Sequence, residues 1–195
     1  MKMNIWVVLV TLGFISVSGL VISDDDHDDD DYYGNKKEWG KRMWRESRLD
    51  VAPVANAFYN EECGSCHFAY QPGLLPARSW KRMMGELENH FDENAELEAV
   101  DRQKLTAYLI KNAADVSNYK RSRRIANSLK AGEAPLRVSG IKYFRRKHNE
   151  LPSRMVEANP EVRSFSNCQL CHAQAAKGSY NEHEVNVPGY GRWDD

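Results

Sequence analysis

Apolar positions recur with a helical period through the first two thirds of the chain. Val54, Phe58 and Tyr59 share one helical face and lead into Cys63. Trp80, Met83, Met84, Leu87 and Phe91 fall at i, i+3, i+4, i+7 and i+11, a second apolar stripe, with Ser79 placed to cap its N-terminus. His90 lies about 80° off that stripe, at its edge. Between the two runs, Pro72-Gly73 and Pro76 mark a turn. A third helix is predicted from near Asp101, with Leu105, Tyr108, Leu109 and Ala113 inward. Beyond residue 118 the pattern loosens. Arg121 to Lys130 reads as a short helix, and Gly132, Pro135, Gly140, Pro152, Pro160, Gly178, Pro188, Gly189 and Gly191 punctuate the remainder. Little but short helices is expected there.

The N-terminus departs from this pattern. Lys2 precedes an uncharged, mostly apolar run, Ile5 to Ile22, with small residues at Ser16, Ser18, Gly19 and Ser23. This is the layout of a secretory signal peptide, 1–23, cut between residues 18 and 23. A retained anchor is the alternative, since 18 residues reach the short end of a membrane span. Residues 24–34 open with seven aspartates among eight positions. Such a run repels itself and reads as a solvated leader, with weak binding of hard cations as the other reading. The whole chain carries −1, but Tyr32 to Asp195 holds 26 Lys and Arg against 21 Asp and Glu, a net +5. Tyr119 to Arg154 holds 11 basic residues against Glu133 and Glu150, a net +9. That excess suits an acidic protein partner or the carboxylates of a bound group, or is a solvated face. Nucleic acid is not an expected partner on the exported side.

All four cysteines lie in two copies of one motif 105 residues apart, Cys63-Gly64-Ser65-Cys66-His67 and Cys168-Gln169-Leu170-Cys171-His172. Cys-x-x-Cys-His is the attachment signal for c-type haem. The cysteines form thioether bonds to the porphyrin, and the histidine places an imidazole on the iron. A zinc site needs its Cys-x-x-Cys pairs roughly 15–20 residues apart, and a thioredoxin motif needs a βαβ context. Two disulfides would leave the repeated histidine unexplained. The expected cofactors are therefore two covalent haems c, one in each of two units, 35–118 and 119–195.

The sixth ligands decide between electron carrier and enzyme. His67 and His172 are committed by their motifs, and His27 lies in the acidic leader. His90 follows His67 by 23 residues, and His148 precedes His172 by 24. These two are the expected distal ligands. His183, between Glu182 and Glu184, reads as a surface histidine. Met83, Met84 and Met155 are the competing thioethers, and a thioether would raise the reduction potential. With both irons six-coordinate no position is left for substrate, so the expected chemistry is outer-sphere electron transfer. The rivals are a haem enzyme or gas-binding protein with one open iron, and a membrane-anchored respiratory subunit.

The flanking sequence narrows this. Glu62-Cys63-Gly64-Ser65-Cys66-His67, Pro72-Gly73-Leu74-Leu75-Pro76, Ser79-Trp80, His90-Phe91, Tyr108-Leu109 and Asn112-Ala113-Ala114-Asp115 run through the first half. Arg146-Lys147-His148, Asn167 to His172 and Pro188-Gly189-Tyr190-Gly191-Arg192-Trp193 continue it. With these motifs the chain resembles the bacterial dihaem cytochrome c family, over roughly Asn56 to Trp193. The resemblance implies a mainly α fold, with a first domain like class I cytochrome c and a less regular, short-helix second haem domain. It also implies bis-histidine haems and electron transfer in the periplasm. The implied redox partners are a small oxygen-binding monohaem cytochrome c or a membrane b-type cytochrome. The acidic leader lies outside the resemblance.

Overall fold

The computed structural model describes residues 49–193, and the expected signal peptide and the aspartate-rich segment lie outside them. Met1–Arg45 and Glu46–Asp195 are separate units; the second is described below. It is mainly helical: α1 Ala57–Gly64, α2 Ala77–Gly85, α3 Ala99–Lys111, α4 Lys120–Asn127, α5 Lys142–Lys147 and α6 Cys168–Cys171. A 3-10 turn stands between each successive pair except α3 and α4, and two more follow α6. A two-stranded antiparallel ribbon, β1 Asn186–Val187 with β2 Gly191–Arg192, follows the last helix. Among the described residues no helix is long and apolar enough to cross a membrane.

The helices begin where local chemistry permits. Asn56 caps α1, its side-chain oxygen accepting the Tyr59 amide at 3.0 Å. Helix α2 starts two residues before the expected cap. Pro76 occupies the N-cap, and the Ala77 amide donates to the Asp115 carboxylate at 2.9 Å from across the fold. Ser79 therefore lies inside the helix, fully buried, instead of capping it. Two further expectations fail nearby. The stripe ends at Leu87, because α2 stops at Gly85, a poor helix former, and gives way to a 3-10 turn, Leu87–Asn89. Phe91 falls beyond it, exposed and in the left-handed region at φ 57°. The ribbon also went unforeseen; Gly189 and Gly191 supply the positive φ its turn requires.

The main core joins Trp80, Met84 and Leu87 of the α2 segment to Leu105 and Leu109 of α3, with Val51, Tyr59, Leu74, Leu75, Ala113 and Ala114. Ile125, Ile141 and Tyr143, from beyond residue 118, pack into the same cluster. A smaller cluster, Met155, Val156, Val162, Val185 and Val187, lies under the second Cys-x-x-Cys-His loop.

The chain entering the fold is pinned to its far end. Asp50 and Val51 amides both donate to the Gly178 carbonyl, at 2.9 and 3.1 Å. Gly178 has φ +84°, and a Cβ there would press into the Val51 carbonyl oxygen. Gly178→Ala should therefore lower stability by more than the roughly 1–2 kcal/mol of a left-handed L-residue. Gly85→Ala, where a Cβ meets nothing within 4 Å, should raise it by about 0.5–1 kcal/mol. Urea unfolding of the two variants checks both signs.

Candidate haem sites

Each Cys-x-x-Cys-His loop closes a short helical turn. Helix α1 carries Cys63, and Ser65 caps it, its hydroxyl donating to the Glu62 carbonyl at 3.0 Å. Helix α6 is the second loop itself, with the His172 amide donating to the Cys168 carbonyl at 2.8 Å. No disulfide joins any of the four cysteines. Burial raises the Cys63 and Cys168 thiols to about 11 each and pushes Cys171 up as well.

The structure brings each motif histidine to a second imidazole. The His67 and His90 ring centroids are 6.0 Å apart, and those of His148 and His172 are 6.2 Å apart. A metal–imidazole bond is about 2.0–2.1 Å and the ring centre lies roughly 1.2 Å behind the nitrogen, so imidazoles on opposite sides of one metal have centroids about 6.4 Å apart. At 6.0 and 6.2 Å, both pairs have a spacing at which one metal ion could take a nitrogen from each ring. Burial lowers the proton affinity of His90, helped by His67 and Arg137. It lowers that of His148 too, with Arg121 adding to the effect. His172 falls to about 4 through burial, His148 and Arg121, against Asp50. Neutral imidazoles keep a lone pair for a metal.

The supports of the four rings differ. His67 Nδ1 donates to the Phe68 carbonyl at 2.8 Å, and His148 Nδ1 to the Phe144 carbonyl at 2.9 Å. A carbonyl only accepts, so Nδ1 holds the proton in both and Nε2 keeps its lone pair. For His148 the acceptor is one of the terminal carbonyls of α5, and the residue stands at that helix's C-cap. His90 sits at a tight turn closed by its amide to the Glu93 carbonyl at 2.8 Å, with Phe91 and Asp92 both at positive φ. Phe91 lies 4.8 Å from the His90 ring, and the Arg137 guanidinium covers Phe91 at 3.9 Å. Left-handed phenylalanine costs on the order of 1–3 kcal/mol, strain of the kind held at functional sites.

The other candidates stand elsewhere. Met84 and Met155 are buried in the two apolar clusters, and Met83 is half-buried beside the first. His183 is exposed. Arg145, Arg146 and Lys147 are exposed in the last turn of α5, where positive charge also favours the helix end. The Arg146 guanidinium lies 5.9 Å from the Tyr143 ring centre.

Two tyrosines that sequence reasoning missed tie the sites together. The Tyr70 ring is 5.5 Å from His67, and its hydroxyl donates to the Ser166 carbonyl at 2.6 Å, just ahead of the second motif. The Tyr180 ring is 5.3 Å from His172, and its hydroxyl donates to Gln71 Oε1 at 2.6 Å, next to Tyr70. Each tyrosine thus leans on one motif histidine and bonds to the other half of the chain. Burial raises both hydroxyls, Tyr70 to about 12. No periodicity or motif marks such contacts across about a hundred residues.

A mainly helical body that sets two free Cys-x-x-Cys-His loops against paired imidazoles fits two haems and defines an electron-transfer haem protein. The family model described as "Dihaem cytochrome c" matches residues 59–180, and the chain belongs to that family. Among solved structures, the dihaem cytochrome c of Shewanella baltica OS155 is 42% identical, with TM-score 0.59 over 71% of this chain and 98% of its own. The dihaem cytochrome c of Rhodobacter sphaeroides is 41% identical, with TM-score 0.59 over 67% and 100% respectively. No curated protein matches.

Tyr180→Phe should leave Gln71 Oε1 buried without its donor and lower stability by about 1–3 kcal/mol. Thermal unfolding measures the loss, and an unchanged transition would show that the bond carries nothing.

Proposed function

We propose that the protein is a periplasmic carrier of electrons with two covalent, low-spin haems c, attached at Cys63 with Cys66 and at Cys168 with Cys171. His67 with His90, and His172 with His148, are the axial ligands. The first haem unit follows the layout of class I cytochrome c, and the second is held by short helices. The two imidazole pairs at 6.0 and 6.2 Å carry this reading. Each haem, when bound, supplies the one-electron Fe(III)/Fe(II) couple.

The chain's own residues do the rest. Paired imidazoles hold both axial positions and so keep substrates off the iron. Phe144, Phe165 and Tyr180 pack around the second pair and limit water there. Cys66 and His67 are exposed, which gives the first site an edge for a partner to approach. Arg145, Arg146 and Lys147 form a basic rim that suits an acidic partner, such as a small monohaem cytochrome c or a membrane b-type cytochrome. Periplasmic location rests on the Lys2 and Ile5–Ile22 signal pattern and on haem attachment outside the cytoplasm.

Ligation is tested by substitution. Pyridine haemochrome assay should find two covalent haems in the wild type and one after Cys63→Ala with Cys66→Ala. Oxidised wild type should be low-spin and should not bind carbon monoxide when reduced. His90→Ala and His148→Ala should each convert about half the haem to a high-spin, carbon-monoxide-binding form, while His183→Ala changes nothing. A wild-type protein that binds carbon monoxide at one iron would replace the carrier reading with an open-iron enzyme or gas-binding protein. A methionine-to-iron charge-transfer band would move a sixth ligand to sulfur.

Docking is tested by salt. Exposed charges are screened over about 10 Å at 0.1 M, so electron exchange with an acidic monohaem cytochrome should slow steeply as salt rises. Arg145→Glu with Arg146→Glu should slow it at low salt. Rates indifferent to both changes would leave these residues as propionate partners or solubilising charge.

A further inference from the structure

We infer that the two haems are electronically unlike, and that the haem between His148 and His172 has the higher reduction potential and is where a delivered electron comes to rest. This rests on the bis-histidine reading above and adds an ordering to it.

The first difference is the angle between ligand planes. It is 20° for His67 and His90 but 75° for His148 and His172. A filled π orbital on each imidazole raises whichever iron d orbital it overlaps. Near-parallel rings raise the same one and split the pair; near-perpendicular rings raise one each and leave the pair almost degenerate. The ferric EPR signals should accordingly differ, ordinary rhombic for the first site and a highly anisotropic, large-g form for the second. Packing fixes the angles. The His148 ring stacks on Phe144 at 3.9 Å and 14°, with Phe165 edge-on at 85°. His172 meets Tyr180 edge-on at 62°. At the first site Tyr70 leans on His67 and Phe91 on His90.

The second difference is solvation. Ferric haem carries one more positive charge than ferrous, so an environment that excludes water favours the reduced form. At the first site Cys66 and His67 are exposed and Cys63 and His90 half-buried, whereas at the second Cys168, Cys171, His172 and His148 are all half-buried. His172 Nδ1 is sealed from solvent and finds no hydrogen-bond partner among the described residues. A carbonyl on that nitrogen makes an imidazole a stronger donor and favours the ferric state. One imidazole of each pair has such a carbonyl, His67 in the first and His148 in the second, so this effect is even between the two sites. Fixed charge does not reverse the order. Arg121 acts on both second-site histidines but is paired with Asp50 at 2.9 Å. Arg137 acts on His90 from an exposed position, where water screens it.

The step is simple in balance. With haems held by His67 and His90 and by His148 and His172, a reduced redox protein would supply one electron and the Fe(III)/Fe(II) couple held by His148 and His172 would retain it, with no bond or proton changed. An EPR-monitored potentiometric titration of the mature holoprotein tests the order. Two low-spin ferric signals are expected, one rhombic and one large-g, and the large-g signal should be lost first as the potential falls. His90→Met should alter the rhombic signal alone, which assigns it. Loss of the rhombic signal first, simultaneous loss, or two signals of one shape would overturn the proposal. A high-spin signal in the wild type would instead show that the bis-histidine reading has failed and the ordering with it.

Discussion

Gln71 has no exposed surface, yet both ends of its amide are bonded to the opposite end of the chain. Its Nε2 donates to the Ala175 carbonyl at 2.5 Å, and its Oε1 accepts from Tyr180 at 2.6 Å. A buried amide without partners would cost several kcal/mol, so these contacts specify one arrangement of the two halves more than they add stability. Tyr70, the preceding residue, reaches Ser166 in the same direction. Beside this seam, Asp50 and Arg121 form a second knot. Arg121 pairs with Asp50 and donates to Tyr143 and the Tyr180 carbonyl, while the Tyr180 amide donates to Asp50 at 2.6 Å. The two Cys-x-x-Cys-His loops are fixed in relation to each other by these polar contacts and by Ile125, Ile141 and Tyr143, which pack into the main core, while the other buried residues of the two apolar clusters come from one half or the other.

That division explains what the sequence revealed. Periodicity found the elements whose packing is apolar and local. Tyr59 in α1, Trp80 and Met84 in α2, and Leu105, Leu109 and Ala113 on the α3 face are all buried as their spacing implies. The repeated motif likewise marked the cysteines and first histidines. His90 and His148 were named by position relative to those motifs, and the fold brings their rings to 6.0 and 6.2 Å from those of His67 and His172. Where a distant partner decides, local rules misled. Ser79 looks like an N-cap, but Asp115 supplies the acceptor at Ala77. Phe91 looks like a continuation of the stripe, but the turn around His90 throws it into the left-handed region beneath Arg137. The Gln71, Tyr70 and Tyr180 bonds have no local signature at all.

The second half also shows why regular structure is scarce there. Its own cluster is five residues, four valines and a methionine on 3-10 turns, loops or the ribbon, and its helices run four to eight residues. Isolated helices that short do not persist on propensity alone, and so small a core can offset only part of the ordering entropy of the chain around it. Backbone placement instead comes from turn bonds and caps, such as His148 at the end of α5 and the His172–Val185 bridge. A covalent haem at Cys168 and Cys171 would add a large apolar face to that cluster and two metal bonds across it. On this account the fold and the redox centre are one object in the second half, whereas the first half already has a core of its own. Removing ligation should therefore loosen the region around Met155 and Val185 more than that around Trp80 and Leu109, because only the former lacks enough side-chain burial to hold its turns in place.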